Sequence, residues 1–85
     1  MKITYFNDSG HGWYAVKRSK LEKMGILGKV SGCSYQRGGT IYLEEDCDAE
    51  LFFNALTENE KQSIKIVDSY SRRSPIRNYE RFNLT

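Results

Sequence analysis

Chemistry in this 85-residue chain would have to come from a small number of side chains. The run Glu44-Glu45-Asp46-Cys47-Asp48 sets carboxylates around a thiol. Hard cations are held by oxygen ligands spaced along a loop that turns on a glycine, and this run contains none, so a metal site is not expected. His11 is the single histidine and lies in Gly10-His11-Gly12-Trp13. A histidine titrates near neutral pH and suits a general base, but it needs a nucleophile or an orienting acid within reach. Asp8 is near in sequence, yet no motif sets a serine or cysteine beside His11. The expectation is a loop whose glycines let Trp13 dock, in a chain that is not an enzyme and carries no cofactor.

Cys33 and Cys47 are the only cysteines, too few for a disulfide scaffold. The expected hairpin register would set Cys33 opposite Glu44, three residues before Cys47, so the two could pair, but a reducing compartment favours free thiols. The opening Met1-Lys2-Ile3-Thr4-Tyr5 lacks the apolar core of a signal peptide, and no apolar run approaches the ~20 residues of a membrane span. The expected location is therefore the cytoplasm, with no membrane partner.

Charge is strongly polarised. Residues 1–43 hold seven Lys or Arg against two acids, residues 44–63 one against seven, and residues 64–85 five against two. These give +5, −6 and +3, which sum to the net +2. Such a pattern speaks about partners and orientation rather than fold. The basic end, Tyr70-Ser71-Arg72-Arg73-Ser74-Pro75-Ile76-Arg77-Asn78-Tyr79-Glu80-Arg81-Phe82, mixes guanidinium forks with aromatic faces, a combination that suits phosphate, carboxylate or stacked bases. It reads equally as a segment packed back over the fold. The candidate binding residues are Glu44, Glu45 and Glu50 on the acidic side, and Arg72, Arg73, Arg77, Tyr79 and Arg81 on the basic side.

The elements that would position them follow from periodicity and punctuation. Lys2–Phe6 and Gly12–Arg18 read as strands of a hairpin around Asn7-Asp8-Ser9-Gly10. Ser19-Lys20-Leu21-Glu22 fits a capping box for a short helix that stops at Gly25. Cys33–Arg37 and Thr40–Glu44 flank Gly38-Gly39, which predicts a hairpin with positive φ at both glycines and Tyr35 facing Tyr42. Ala49, Phe52, Phe53 and Leu56 form one apolar helical face, with Asp46 or Asp48 as cap and the polar stretch from Glu58 to Ser63 ending the helix. A last strand runs from Ile64 to about Tyr70. The sum is an α+β fold, a small antiparallel sheet with two helices in the order β-β-α-β-β-α-β. One domain spans residues 1–70, and 71–85 is a basic aromatic C-terminal tail. At this length oligomerisation is a common supplement to a small core, so a homo-oligomer is compatible with the sequence.

The blocks Gly10-His11-Gly12-Trp13, Ser34-Tyr35-Gln36-Arg37-Gly38 and Tyr42-Leu43-Glu44-Glu45-Asp46-Cys47-Asp48, with Val16, Leu21 and Gly25-Ile26 between them, resemble a small domain of unknown function. That domain recurs in open reading frames of bacteriophages and plasmids. The resemblance covers somewhat under half of the chain and implies an origin more than a mechanism. Small charge-polarised phage proteins, anti-CRISPR proteins among them, often act by blocking a host or defence protein. The leading expectation is therefore a mobile-element protein that inhibits or redirects a host or defence protein through charged surfaces. The alternative is a small nucleic-acid-binding module using the Arg-aromatic tail.

Overall fold

The computed structural model describes residues 1–84. Its strands are β1 (Lys2–Asn7), β2 (Gly12–Lys17), β3 (Tyr35–Arg37), β4 (Thr40–Glu44), β5 (Lys65–Tyr70) and β6 (Glu80–Arg81). They form one sheet in the order β5-β1-β2-β4-β3-β6. Helices α1 (Arg18–Lys23), α2 (Ala49–Ala55) and α3 (Glu58–Ser63) complete the α+β fold.

The sheet is mixed rather than antiparallel. β1 pairs antiparallel with β2, but β5 lies parallel to β1 in a register that runs from Lys2 beside Lys65 to Asn7 beside Tyr70. A parallel partner needs a crossover, and the chain between β1 and β5 supplies the helices. The strand ladder also continues past residue 70. The segment from residue 71 turns through Pro75–Asn78 and adds β6 to β3, with Tyr35 beside Arg81. Ser74, Ile76 and Phe82 are buried, so this segment, read from the sequence as a tail, packs on the domain. The last residue of the 71–85 range lies outside the described residues.

The main core lies between one sheet face and the helices. Ile3, Val16, Ile41 and Leu43 meet Leu21, Phe52 and Leu56, all buried, and Phe82 closes the far side. The spacing of Phe52, Phe53 and Leu56 built this face of α2 as the periodicity predicts. Phe52 is fully buried, and Phe53 packs edge-on against Tyr14. Ile76 and Trp13 are also buried but stand outside this cluster.

Several local expectations change in detail. Tyr35 does face Tyr42, but positive φ occurs at Gly38 (59°) and not at Gly39. Gly38 is thus the position that only glycine fills easily. Ser19 does not cap α1. The cap position falls two residues earlier, at Lys17, and the helix runs directly from β2, with the Arg18 N–H donating to the Gly39 carbonyl at 2.8 Å. The capping box forms instead at α3, where the Thr57 hydroxyl accepts from the Glu60 N–H and the Glu60 carboxylate accepts from the Thr57 N–H. Asp48 stands at the N-cap of α2, but its carboxylate faces away from the helix and accepts from the Ser31 N–H, the Ser31 hydroxyl and the Ser34 hydroxyl.

Candidate functional site

Strand alternation divides the sheet into two chemically different faces. The helix-facing positions are Ile3, Tyr5, Asn7, Gly12, Tyr14, Val16, Gln36, Ile41, Leu43, Ile66, Asp68, Tyr70 and Glu80, as the registers require. None of these is a cation. The opposite face carries Lys2, Lys17, Arg37, Lys65 and Arg81 with one carboxylate, Glu44. The same face carries Phe6, Trp13, Tyr35 and Tyr42. Basic side chains and aromatic rings share one surface, while the strand carboxylates other than Glu44 lie on the other.

The C-terminal segment covers the upper part of this outer face. Asp8, in the β1–β2 turn, is buried and accepts from Arg77 Nε at 2.7 Å and from an Arg77 terminal nitrogen at 2.9 Å. It also accepts from the N–H groups of Gly10, His11 and Ser74. The Arg77 ion pair and these backbone donors hold its carboxyl far below the usual carboxylate range. The Arg77 guanidinium then lies 5.5 Å above the Trp13 ring. Tyr79 packs on Tyr42 with centroids 5.2 Å apart, and Arg37 sits 4.8 Å over the Tyr79 ring. Phe6 meets Tyr42 at 6.0 Å, so an aromatic row runs from β1 to the C-terminal segment.

Below this row the outer face is open. Thr4, Ala15 and Thr40 form a floor of small side chains, and Lys2, Lys17 and Lys20 border a hollow of about 470 Å3 above it. Lys20 is tied to Glu60 at 2.9 Å, whereas Lys2 and Lys17 are exposed. Sequence reasoning passed over Lys2, Lys17, Arg37, Lys65, Phe6 and Tyr42. Their odd or even placement within each strand was the signal, since it puts them on one face once the register is known.

The predicted site residues separate into groups. Arg72 and Arg73 are exposed and share a shallow depression with Asp8, Ser9, Gly10 and Arg77. Arg77 is committed to Asp8. Arg81 lies 5.1 Å over the Tyr35 ring and donates to the Gly32 carbonyl. Glu45 accepts from the Tyr5 hydroxyl, and burial, together with this contact, pushes the phenol pKa well up. Gly12 makes that contact possible, because a Cβ there would overlap the Tyr5 hydroxyl. Glu50 stands apart, exposed in the first turn of α2.

Glu44 belongs to a second hollow with His11, Trp13, Cys33, Tyr35, Cys47, Arg77 and Arg81. His11 Nδ1 lies 3.4 Å from Glu44 Oε1, which supplies the orienting acid that sequence alone did not place. Two thiols line the same hollow, so the ingredients of a Cys-His-carboxylate site are neighbours. Among the described residues neither thiol bonds to His11, and the Cys47 pKa is raised, chiefly by its hydrogen bond with Cys33, where an activated nucleophile needs it lowered. No set of three or more metal-ligating side chains clusters among the described residues, and no described helix is long and apolar enough to cross a membrane.

No protein-family model, no curated protein and no solved structure matches this chain.

Proposed function

We propose that this chain is a non-catalytic binding module whose outer sheet face takes a single-stranded nucleic acid. The observation that carries the reading is the segregation of Lys2, Lys17, Arg37, Lys65 and Arg81 with Phe6 and Tyr42 on the face turned away from the helices. Phosphates suit the lysines and arginines, and bases stack on aromatic rings, at about 1–3 kcal/mol per base; half-buried Phe6 offers such a ring, whereas Tyr42 lies against Tyr79. The open hollow between Lys2 and Lys17 leaves the backbone of a strand room to run along the sheet. Arg72 and Arg73 extend the cationic surface beyond the covered part. The overall charge of +2 is modest, but the relevant quantity is the field over one face, where the strand positions carry one sign but for Glu44.

A wider reading shares the surface. A cytoplasmic, phage- or plasmid-encoded protein that inhibits or redirects a host or defence protein would present this cationic face to an acidic protein. The exposed Arg72 and Arg73 favour it, since guanidinium forks match carboxylates. The acidic run offers less for such contacts, because Glu44 and Glu45 are engaged within the chain and Asp48 is buried.

Fluorescence anisotropy with labelled single-stranded DNA and RNA, measured across salt concentrations, separates the two. Nucleic-acid binding gives affinity that falls steeply with salt and is lost in Lys17→Glu with Arg37→Glu. Absence of oligonucleotide binding at low salt would sink the nucleic-acid reading. Capture from host lysate of an acidic protein that is lost with the same variant would then support the second.

A further inference from the structure

Cys33 and Cys47 are both exposed and line one hollow, although the chain between them includes the whole β3–β4 hairpin. The hairpin register explains the approach: Tyr35 faces Tyr42, so Cys33 lies just before the hairpin and Cys47 just after it. Buried Asp48 then draws the two ends together. Its carboxylate accepts from the Ser34 hydroxyl at 2.5 Å and from the Ser31 hydroxyl at 2.9 Å, which fixes the neighbour of Cys33 to the neighbour of Cys47. Ser31 reaches both cysteines directly, with its hydroxyl 3.4 Å from Cys47 Sγ and 3.1 Å from the Cys33 nitrogen. The Ser34 hydroxyl also accepts from the Glu44 N–H, so the clamp is continuous with the sheet.

We propose that Cys33 and Cys47 are a dithiol–disulfide couple that exchanges with low-molecular-weight disulfides and, when oxidised, staples the base of the β3–β4 hairpin. The Cys33 thiolate attacks one sulfur of the small disulfide, forms a mixed disulfide and releases one thiol. Cys47, deprotonated, then attacks Cys33 Sγ, forms the internal bond and expels the second thiol. The protein dithiol loses two electrons and two protons, and the small disulfide gains them as two thiols. Cys33 acts first because the Cys47 thiol is pushed up and holds its proton. The Asp48 clamp replaces the search for a partner thiol with a fixed neighbour, which favours the internal bond over two mixed disulfides.

The test uses the full chain with a glutathione/glutathione disulfide buffer, followed by acid quench, intact mass and thiol labelling. The expected product is a monomer lighter by two hydrogen atoms with no thiol left to label. Its ratio to the dithiol form should exceed that of the urea-unfolded chain by about tenfold or more, a difference of ~30 mV in potential. In Cys47→Ser, a glutathione adduct on Cys33 should accumulate instead. Persistent adducts on both cysteines, disulfide-linked dimers, or a native ratio no greater than the unfolded one would overturn the proposal. Circular dichroism of Cys47→Ser distinguishes a lost resolving thiol from a lost fold, and Cys33→Ser supplies the reciprocal variant.

Discussion

Asp8 and Arg77 form a two-pronged ion pair, with both carboxylate oxygens engaged, between residues 69 positions apart. This contact joins the β1–β2 turn to the C-terminal segment and holds that segment over Trp13. Breaking one side leaves the other charge without its partner in a site whose carboxylate is buried. Asp8→Asn and Arg77→Ala should each lower the thermal midpoint clearly. Each should also shift Trp13 fluorescence to the red as the indole is uncovered.

The same pair sets an acid response. The Asp8 carboxyl is held below its ordinary value of 3.8 in the folded protein. The folded state therefore binds fewer protons than the unfolded chain once pH drops below about 4. The stabilisation from Asp8 is present above that value and is lost as pH falls further, toward the depressed folded value. Thermal melts between pH 5 and pH 2 should show a steep loss for the natural chain and a shallower one for Asp8→Asn. Equal slopes would show that Asp8 has no part in acid unfolding.

The arginines of the C-terminal segment should respond unequally. Arg72 and Arg73 are exposed and joined to no carboxylate among the described contacts. Arg72→Glu with Arg73→Glu should change stability by less than about 0.5 kcal/mol per site in urea unfolding. Arg77→Glu should destabilise strongly, because it sets a carboxylate against Asp8. Similar losses for all three would mean that the segment is held by overall charge and not by this contact.

Helix capping gives a sharper contrast. Thr57→Ala removes the hydroxyl that caps α3 and should cost about 1 kcal/mol, whereas Ser19→Ala should be nearly silent. Urea midpoints of the two variants decide between them.

Glycine substitutions test the backbone. Gly38→Val forces a β-branched residue to φ 59° and should cost about 1–3 kcal/mol, while Gly39→Ala should cost less. Gly12→Ala should displace the Tyr5 ring and break the contact to Glu45. Its cost should be less than additive with Tyr5→Val, since both variants remove the same contact.

Much of the scaffold was legible because its signals are local. Gly38-Gly39 between strand-like runs marks a hairpin, and the spacing of Ala49, Phe52 and Leu56 marks a buried helical face. Helix α3 escaped because none of its residues is buried, so no periodicity announces it, and only its capping box, Thr57 with Glu60, was available as a sign. The Ser19 capping box misled because Arg18 takes its backbone partner from Gly39, leaving no gap between β2 and α1 for a cap. The parallel pairing of β1 with β5 and the Asp8–Arg77 contact depend on long-range register, which composition does not encode. The two-faced sheet lies between these cases. Each strand states its own alternation, but only the register says which strands agree.

The parallel pairing of β1 with β5 also bears on the order in which the protein can be completed. During synthesis the β1–β2 hairpin is made before β5, and the outer edge of β1 has no partner until Lys65–Tyr70 follows. Until then that edge offers unpaired N–H and C=O groups to any neighbouring strand, including one from another nascent chain. Closing the sheet demands contacts across most of the sequence, a topology that folds slowly compared with local hairpins and helices. The vulnerable stage for this fold is thus the interval in which β1 is in place and β5 has not yet paired with it.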